Sequence, residues 1–418
     1  MTREHIAVIG AGVAGLTAAH LLSRCHDVVV YEAGTKPGGH ADTRTIRTPD
    51  SAFVQVDTGF IVHNGPNYPC LTRLFEELGV RTRTSDMSMS VSCRECGLEY
   101  AGGKRGAGLV TPGAMRAGRR YLGMLAELPR FNRTARRLLA GRDTGASLGE
   151  FLVRGRFSRY FVDHYALPLV SAVWSAGEEV STRYPARYLF AFLDHHGLLG
   201  IRPAKGWRTV VGGSQTYVDR IAAGLSVLKT ATPARAVRRH DTHVEILDPT
   251  GTSSMFDRVV LATHADQALA LLADPTAAER RALGGFRYSR NEMWLHTDSA
   301  VLPRSEGARA SWNHTKRTCR GAGPALVSYD LNRLMGLSEP LRYVVTLNGE
   351  SDVDSSAVVA EAVYEHPVYT SASVAAQREL PSLNTGRTAY AGAYHGWGFH
   401  EDGCLSGVRA ARAFGVKW

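Results

Sequence analysis

The first part of the chain consists of short apolar runs separated by a glycine-rich turn. A β-branched run from His5 to Ile9 leads into the segment GAGVAG, residues 10–15. An alanine- and leucine-rich stretch covers residues 16–23, and a second apolar run, Asp27 to Tyr31, ends at Glu32. Short β-branched runs indicate buried strands, and the stretch between them is helical in composition. The pattern therefore predicts a β-α-β unit at the start of the chain.

Blocks of helical and strand-like sequence follow this unit. The pattern predicts a short helix over residues 69–79 and a mostly helical region over 111–196, interrupted at Pro129, Pro168 and Pro185. A last helix is predicted over residues 403–414. Strands are predicted at residues 235–238, 244–247, 258–262, 292–296, 325–329, 343–347 and 388–391.

The composition is that of an ordinary globular protein. Of the 418 residues, 44% are hydrophobic and 21% are charged, which excludes disorder as the main state. No uncharged apolar run reaches the roughly 18 residues of a bilayer crossing, and the first residues lack the pattern of a signal peptide. The six cysteines are too sparse for a disulfide scaffold. We therefore expect a cytoplasmic protein.

The positive charge is concentrated in one segment. The chain carries a net charge of +10, and the segment from Lys104 to Arg142 alone contains ten basic residues and one acid. The nearly neutral remainder argues against a nucleic-acid-binding surface. The segment is either a solvated helix face or a surface for a local anionic partner. Such a partner could be an acidic carrier protein, the phosphates of coenzyme A, or anionic headgroups at the inner face of the membrane.

The glycine-rich turn carries the clearest chemical signal. Gly10, Gly12 and Gly15 form a G-x-G-x-x-G motif between a predicted strand and a predicted helix, and Glu32 ends the next strand. The three glycines allow a tight turn, the approach of a pyrophosphate and close packing of helix on sheet. Glu32 is placed to accept hydrogen bonds from ribose hydroxyls and to repel a 2′-phosphate, which disfavours NADP. The unit predicts a dinucleotide site.

A second glycine pair favours FAD over NAD. Gly38 and Gly39 lie six and seven residues after Glu32, and Arg44 follows them. A dinucleotide with a long flavin end needs a second stretch of backbone without side chains, and a cation. The spacing of acid, glycine pair and basic residue resembles the N-terminal fingerprint of the flavin amine oxidase and phytoene desaturase superfamily.

Two further stretches extend this resemblance along the chain. Asp257 to Ala268 is similar to the strand and turn that pass the adenosine in that superfamily, and Tyr390 to Ala411 is similar to its C-terminal signature. Residues 56–64, 168–175, 343–348 and 397–403 resemble a bacterial branch described only as predicted NAD/FAD-binding or amine-oxidase-like proteins. The resemblance implies that the C-terminal helix points its N-terminus at the flavin. It implies cofactor contacts at Ala14, Ala33, Thr58, Gly59, Val237, Ala262, Gly392, Gly403 and Ser406.

The chain departs from the superfamily at two positions. The acid that commonly follows the glycine of the C-terminal strand is replaced by Ala393, for which Asp402 is a candidate substitute. The lysine that positions a water at flavin N5 in many amine oxidases has no counterpart in the predicted strand 292–296. Its absence weakens an amine oxidase interpretation.

These observations predict an α/β fold. We expect a Rossmann-type FAD-binding domain, like that of glutathione reductase, from residues 1–85, 205–285 and 380–418. An inserted α+β substrate domain is expected from residues 86–204 and 286–379.

The loop before the last helix holds the candidate catalytic residues. His400 is the first candidate proton carrier and Glu401 the second, because this loop is expected beside the flavin. The alternative is that these groups only cap the helix and hydrogen-bond the cofactor. The aromatic residues between Phe151 and Leu199 are either core or the lining of an apolar tunnel for a long chain or polyene.

Cys93 and Cys96 form a C-x-x-C pair. One pair cannot complete a four-ligand zinc site, and the sequence shows no second such pair and no close pair of histidines. We expect no metal. The pair is interpreted as two inert thiols in a surface turn, or as a redox pair that feeds the flavin.

The leading functional hypothesis is an FAD-dependent oxidoreductase that moves a hydride between flavin N5 and a small hydrophobic substrate, such as a lipid, an acyl chain or a polyene. With no second G-x-G-x-x-G motif for NADPH, the enzyme is either a desaturase or oxidase, or a redox-neutral double-bond isomerase. The alternatives are a flavin amine oxidase and a non-catalytic FAD-binding protein.

Overall fold

The computed structural model describes residues 3–200, 206–321 and 323–418, without the side chains of Lys104 and Arg105. The strands are β1 (His5–Ile9), β2 (Asp27–Tyr31), β3 (Thr43–Arg47), β4 (Phe53–Asp57), β5 (His63–Asn64), β6 (Thr82–Thr84), β7 (Met89–Cys93), β8 (Glu99–Gly102), β9 (Trp207–Val210), β10 (Val227–Lys229), β11 (Ala236–Arg239), β12 (Val244–Leu247), β13 (Ser253–Phe256), β14 (Arg258–Leu261), β15 (Arg287–His296), β16 (Trp312–Lys316), β17 (Leu326–Asp330), β18 (Val344–Leu347), β19 (Val358–Val368) and β20 (Thr388–Tyr390).

The helices are α1 (Val13–Leu22), α2 (Pro69–Glu77), α3 (Pro112–Ala140), α4 (Leu148–Arg154), α5 (Arg159–Phe161), α6 (Leu167–Trp174), α7 (Glu178–Thr182), α8 (Ala186–His195), α9 (Gln215–Ala223), α10 (Ala265–Leu271), α11 (Ala277–Leu283), α12 (Leu331–Met335), α13 (Ser371–Gln377) and α14 (His400–Ala413). A π-helical turn, Val162–Ala166, joins α5 to α6. Within the described ranges, no helix combines the length and the apolar character that a bilayer crossing requires.

A parallel five-stranded sheet forms one half of the molecule. Its strand order is β10-β2-β1-β14-β20, and every neighbouring pair is parallel. Alternate residues of β1 face opposite sides, as in any strand. Ile6 and Val8 belong to the core cluster that contains α1 and α14, whereas Ala7 and Ile9 pack with residues of the antiparallel β11-β12-β13 sheet. Burial on both faces explains the continuous apolar runs.

A seven-stranded sheet forms the other half. Its order is β19-β15-β18-β17-β16-β7-β8, and it is antiparallel except for the pair β16–β7. Val91 of β7 and Tyr100 of β8 share a core cluster with residues of α3 to α8. All strands of this sheet lie in the segments expected for the substrate domain, and all strands of the parallel sheet lie in those expected for the FAD-binding domain. The domain boundaries themselves stay a prediction.

Several elements differ from the sequence prediction. Pro129 lies inside α3 and does not interrupt it, and the break in α3 falls instead at Gly118, which has φ 56° and ψ −127°. Pro168 stands in the first turn of α6 and Pro185 at the N-terminus of α8. The edge strand β19 was not predicted, because its two alanines and two glutamates favour helices, although four of its eleven residues are valine. Its pairing with β15 over Arg287 to His296 overrides that preference.

Candidate active site

A cavity of about 770 Å³ lies between the two large sheets. Ile9 and Tyr31, at the carboxyl ends of β1 and β2, line one part of it. Trp312, Tyr329 and Leu347, from β16, β17 and β18, line another. The carboxyl ends of parallel strands are where open α/β sheets bind ligands, and the volume is that of a typical ligand pocket.

The turn between β1 and α1 is built on close backbone contacts. Gly10 has φ +100°, and a Cβ on Gly15 would lie 1.9 Å from the carbonyl oxygen of Gly10. A Cβ on Gly12 would meet no atom within 4 Å, and Gly12 borders the cavity with Val13 and Ala14 at the start of α1. The open space lies where free helix N–H groups and the helix dipole favour an anion such as a pyrophosphate. Gly15 packs helix on sheet and does not reach the cavity.

Glu32 is held rigidly at one end of the cavity. Its carboxylate accepts the N–H of Ala11 at 2.8 Å and the N–H of Gly34 at 2.7 Å. Each oxygen retains acceptor capacity for ribose hydroxyls. Ala33 and Arg235 line the same end, and sequence reasoning missed Arg235. This end of the cavity fits an adenosine.

Val237 does not line this cavity. Its side chain is fully buried in the core between the parallel sheet and β11-β12-β13, and its carbonyl accepts the N–H of Ala273 at 3.0 Å. The implied cofactor contact through Val237 is therefore not seen. Arg235, two residues earlier, takes the place at the cavity wall.

The second glycine pair approaches the start of α1. Gly38 forms a β-bridge with Gly12, and its N–H donates to the carbonyl of Ala11 at 2.8 Å. Gly39 borders the cavity, whereas Gly38 supports the turn from behind. Arg44 does not reach the cavity because Asp42 holds its guanidinium at 2.9 Å.

His40 borders the cavity directly after the glycine pair. Its buried Nε2 has no partner among the described residues. A buried polar atom without a partner needs a hydrogen bond, which a ligand in the cavity can provide. The sequence carried a signal for this residue, its position next to Gly39, but reasoning from charge selected Arg44.

The middle of the cavity is bounded by a stacked pair of rings. Phe60 and His400 stack with ring centroids 3.8 Å apart and an interplanar angle of 6°. Thr58 and Gly59 line the cavity beside them. A Cβ on Gly59 would lie 2.2 Å from the carbonyl oxygen of His40, so the two segments meet only because residue 59 is a glycine.

Some of the predicted cofactor-binding residues in the C-terminal part of the chain line the cavity, and others pack behind its wall. Ala262 and Gly392 line the cavity. Gly403 does not: it packs on α1, where a Cβ would lie 2.6 Å from a methyl of Val13. Ser406 also acts behind the wall, because its hydroxyl oxygen accepts the N–H of Gly392 at 2.8 Å.

Glu401 points away from the cavity, in contrast to its expected role. Its two carboxylate oxygens accept the N–H groups of Cys70 and Leu71, each at 2.9 Å. These groups belong to the first turn of α2, whose free N–H groups an acidic side chain satisfies. Glu401 therefore acts as a helix cap, and the geometry does not support proton transfer to a substrate.

His400 lines the cavity, but as a neutral ring. Burial lowers the pKa of its imidazole from the usual 6.5 to about 3, and His63 adds to the shift. Its Nε2 lies 2.8 Å from the hydroxyl of Tyr217. A base with so low a pKa is a poor proton acceptor near pH 7. The structure favours the alternative interpretation, in which His400 shapes the site and offers a hydrogen bond.

Asp402 does not face the cavity either. Its carboxylate accepts the N–H of Phe399 at 2.9 Å, and burial raises its pKa to about 7. It fixes the loop before α14 and is not a substitute for the acid that Ala393 replaces. Ala393 itself borders the cavity.

The end of the cavity formed by the seven-stranded sheet and the helices is apolar. Trp174 and Phe192, from α6 and α8, belong to this wall, whereas Phe157, Phe161 and Phe190 pack in the helical core. The aromatic segment is thus partly core and partly cavity wall, and its role as a tunnel for a long chain stays a prediction. The wall at this end consists of Ile61, Val62, Tyr68, Met87, Val173, Trp174, Ser175, Phe192, His196, Leu198, Trp207, Trp312, Tyr329 and Leu347.

This apolar end is also uncharged. Its histidine, His196, has a pKa lowered by burial to about 4. Among the described residues, this part of the wall contains neither a carboxylate nor a lysine. Strand β15, where many amine oxidases carry the lysine, contributes Tyr288 to the cavity. The carboxylates that border the cavity, Glu32 and Glu365, lie toward the parallel sheet, where Glu365 approaches His264 to 3.3 Å.

The residues present therefore fit FAD. The open space at Gly12, the start of α1, the oriented Glu32 and the unpartnered His40 Nε2 match an extended dinucleotide, and the stacked rings lie farther along. The flavin end would then lie beside the start of α14, next to the apolar wall.

The two thiols of the C-x-x-C pair have neighbours that the sequence did not indicate. Cys319 and His164 lie beside Cys93 and Cys96, and the four potential ligand atoms are all within 4.8 Å of one another. None of the four residues borders the cavity. The sequence could not reveal this set, because its members are separated by 68 and 226 positions.

Comparisons with known proteins agree with this geometry. The family described as flavin containing amine oxidoreductase matches residues 13–365. The chain is 31% identical over 251 residues to the "Putative flavin-containing monoamine oxidase AofH" of Mycobacterium tuberculosis. That match covers 57% of this chain and 51% of the relative, so the chain spans about half of the relative's length.

Solved structures share the fold over nearly the whole chain. Cyclohexylamine oxidase from Brevibacterium oxydans superimposes with a TM-score of 0.69 at 15% identity, covering 99% of both chains. A fatty acid isomerase from P. acnes that produces CLA superimposes with a TM-score of 0.67 at 16% identity, covering 98% of both chains. At this identity the likeness establishes the fold.

The open space at Gly12 predicts a variant that folds but binds no cofactor. Gly12→Val places its side chain into the cavity, so we expect FAD occupancy of the purified protein to fall at least about tenfold. The thermal stability of the FAD-free protein should stay near that of wild type. Flavin absorbance per protein chain measures the first quantity, and thermal unfolding of FAD-stripped samples measures the second.

Gly65→Val is the matched control, because a Cβ there also meets no atom within 4 Å but Gly65 does not border the cavity. It should retain FAD. Full flavin content in Gly12→Val would contradict the assignment of this site.

The buried histidines predict acid lability. The unfolded chain binds protons to them below pH 6.5 whereas the folded chain does not, so stability falls as the pH decreases toward 4. Two buried carboxyl groups with raised pKa values, Asp57 at about 6 and Asp402 at about 7, act in the opposite direction. The histidines are His63, His196, His296 and His366, with pKa values of about 4, and His395 and His400, with values of about 3.

Because six histidines oppose two carboxyl groups, the net effect is that the free energy of unfolding falls as the pH decreases. We expect the free energy of unfolding to fall by at least about 1.4 kcal/mol per pH unit, one net proton, between pH about 6.5 and 5. Urea unfolding at several pH values in this window measures it. A stability that is constant or rises toward acid would contradict the burial of these rings.

Proposed function

Since this chain belongs to the family of flavin-containing amine oxidoreductases, an FAD-dependent oxidoreductase family, we propose that it oxidises or isomerises an uncharged, largely apolar substrate. FAD, when bound, supplies a hydride acceptor at N5 of its flavin. The single observation that carries the choice of substrate is the uncharged apolar wall at the flavin end of the cavity.

The wall favours a hydrocarbon chain because it offers no counter-ion. An ammonium group entering this space would lose its hydration without gaining a carboxylate. Trp174 and Phe192 provide flat apolar surface, and a chain or polyene buries area against them. The neutral His196 and His400 offer hydrogen bonds without charge.

The loop that precedes α14 closes this wall and is held firmly. The hydroxyl of Tyr188 donates to the carbonyl of Gly396 at 2.6 Å, and Gln377 Nε2 donates to the carbonyl of Tyr394 at 2.8 Å. Trp397 and Phe399 of this loop pack against Phe192. These contacts orient the aromatic surface and exclude water from it.

A second candidate function is amine oxidation. The 31% match to a relative named as a putative monoamine oxidase favours it. A neutral amine could enter the apolar wall after losing its proton. The lack of a lysine along the cavity among the described residues weakens this candidate, as the sequence analysis anticipated.

Anaerobic mixing with two substrate panels separates the candidates. We expect esters of unsaturated fatty acids or polyenes, which carry no charge, and not primary or secondary amines, to bleach the flavin or to turn over. Turnover without an added acceptor identifies an isomerase, whereas a single stoichiometric bleaching identifies a desaturase or oxidase. Bleaching by amines alone would overturn the proposal in favour of amine oxidation.

A charged variant sharpens this test. Val173→Asp places a carboxylate in the apolar wall, and we expect turnover of the apolar substrate to fall at least about tenfold. Val153→Asp is the matched control, because Val153 is 77% exposed and lies outside the cavity.

We also propose that the basic segment contacts an anionic membrane surface. The large apolar side chains Val110, just before α3, and Met115 and Leu122, on either side of Gly118 within it, are 73%, 72% and 64% exposed. Arg119 and Arg120 are exposed among them, and no carboxylate in the described part of the chain pairs with either. Exposed apolar side chains between arginines are typical of surfaces that insert into the headgroup region.

Vesicle sedimentation tests this surface. The protein should bind phosphatidylglycerol vesicles and not phosphatidylcholine vesicles, and salt should weaken the binding. The double variant Met115→Glu, Leu122→Glu should bind at least about tenfold more weakly, whereas Met255→Glu, at a residue 65% exposed elsewhere, should not change it. Equal binding by wild type and the double variant would contradict this role, and no binding at all would leave a solvated helix face or an acidic carrier protein as the interpretation.

A further inference from the structure

Four side chains with metal-binding atoms meet where the seven-stranded sheet packs against the helical layer. Cys93 ends β7 and Cys96 lies in the turn to β8. Cys319 comes from the segment after β16, which pairs in parallel with β7. His164 comes from the π-helical turn between α5 and α6. Three separate parts of the chain thus contribute to one cluster.

The spacing of the ligand atoms is that of a tetrahedral site. Cys93 Sγ and Cys319 Sγ are 3.7 Å apart, and Cys96 Sγ and His164 Nε2 are 3.6 Å apart. With Zn–S bonds of about 2.3 Å and Zn–N bonds of about 2.0 Å, tetrahedral geometry requires about 3.8 Å between sulfurs and about 3.5 Å between sulfur and nitrogen. Both observed distances agree with these values.

The surroundings orient the ligands. His164 Nδ1 lies 3.2 Å from the carbonyl of Tyr160, which places the ring proton on Nδ1 and turns the Nε2 lone pair toward the sulfurs. Glu95 accepts the N–H of Cys319 at 2.7 Å, which fixes the third cysteine.

The π-helical turn orients His164 toward the three cysteines. A one-residue widening of a helix re-aims the side chains of that turn and is frequent at functional sites. In this protein the widened turn, Val162–Ala166, carries His164. The ring of Tyr160 stacks on the imidazole of His164, with the two ring centroids 4.2 Å apart. Buried Cys93 and His164 form the inner side of the cluster, and Cys96 lies at the surface.

We propose that Cys93, Cys96, Cys319 and His164 bind one structural zinc ion. The Cys₃His set is one that structural zinc sites use. Binding replaces the thiol protons of three cysteines by Zn²⁺ and releases those protons, and no electrons are transferred. The ion joins the β7–β8 turn and the segment after β16 to the helical layer. Since α6 follows directly, the zinc site also fixes the position of Val173 and Trp174 in the cavity wall.

Metal analysis of the purified full-length protein tests this proposal without any measurement of activity. We expect about one zinc ion per chain by mass spectrometry with a plasma source. Cobalt exchanged into the site should give the visible absorption of tetrahedral Co²⁺ together with thiolate charge transfer. Cys96→Ser and His164→Ala should lose the zinc, and chelation of wild type should lower its Tm.

Cys25→Ser is the matched control, because Cys25 is a free cysteine outside the cluster, and it should retain the zinc. Cys96→Ser, at the most accessible ligand, keeps the test valid if His164→Ala does not fold. Two outcomes would overturn the proposal: wild type that takes up no zinc or cobalt after reduction, and zinc content unchanged in Cys96→Ser.

Discussion

The close approach of backbone segments around the start of α1 is the constraint on which the site depends. Glycines make this approach possible: a Cβ on Gly15 would lie 1.9 Å from Gly10, one on Gly59 2.2 Å from His40, and one on Gly407 2.3 Å from Ala14. The Gly407 contact joins α14 to α1, and the N–H of Gly38, which donates to the carbonyl of Ala11 at 2.8 Å, joins the 38–59 region to the β1–α1 turn. Because their backbones touch, the helix start and the open space at Gly12 face a single cavity.

The other end of the cavity is neutral, because its histidines are buried and uncharged and its wall contains no carboxylate among the described residues. Desolvation lowers the pKa values of His196 and His400, so both rings are neutral near pH 7. The carboxylate of Glu401 caps a helix outside the wall. A polar, anion-binding end therefore adjoins an apolar and neutral end, an arrangement that suits a charged cofactor and an uncharged substrate.

The parts of this account that the sequence could predict are local. Strands β1 and β2 lie at the predicted residues, because apolar runs and glycines act over a few positions, and the predicted fold class and FAD are confirmed by the family. Sequence reasoning failed where distant segments decide. Glu401 meets a helix start some 330 positions away, and Cys319 and His164 reach Cys93 and Cys96 only through the fold. Arg44 is a local failure, because Asp42, two residues earlier, holds its guanidinium. Strand β19 depends on its pairing with β15 and not on its own sequence.

A crystal structure of the protein with the ligand that copurifies with it tests the central claim most directly. We expect FAD extended from Glu32, past Gly12 and Gly39, with its flavin ring beside Phe60 and His400 and facing the apolar wall. A dinucleotide other than FAD, or a flavin ring placed away from the start of α14, would contradict it.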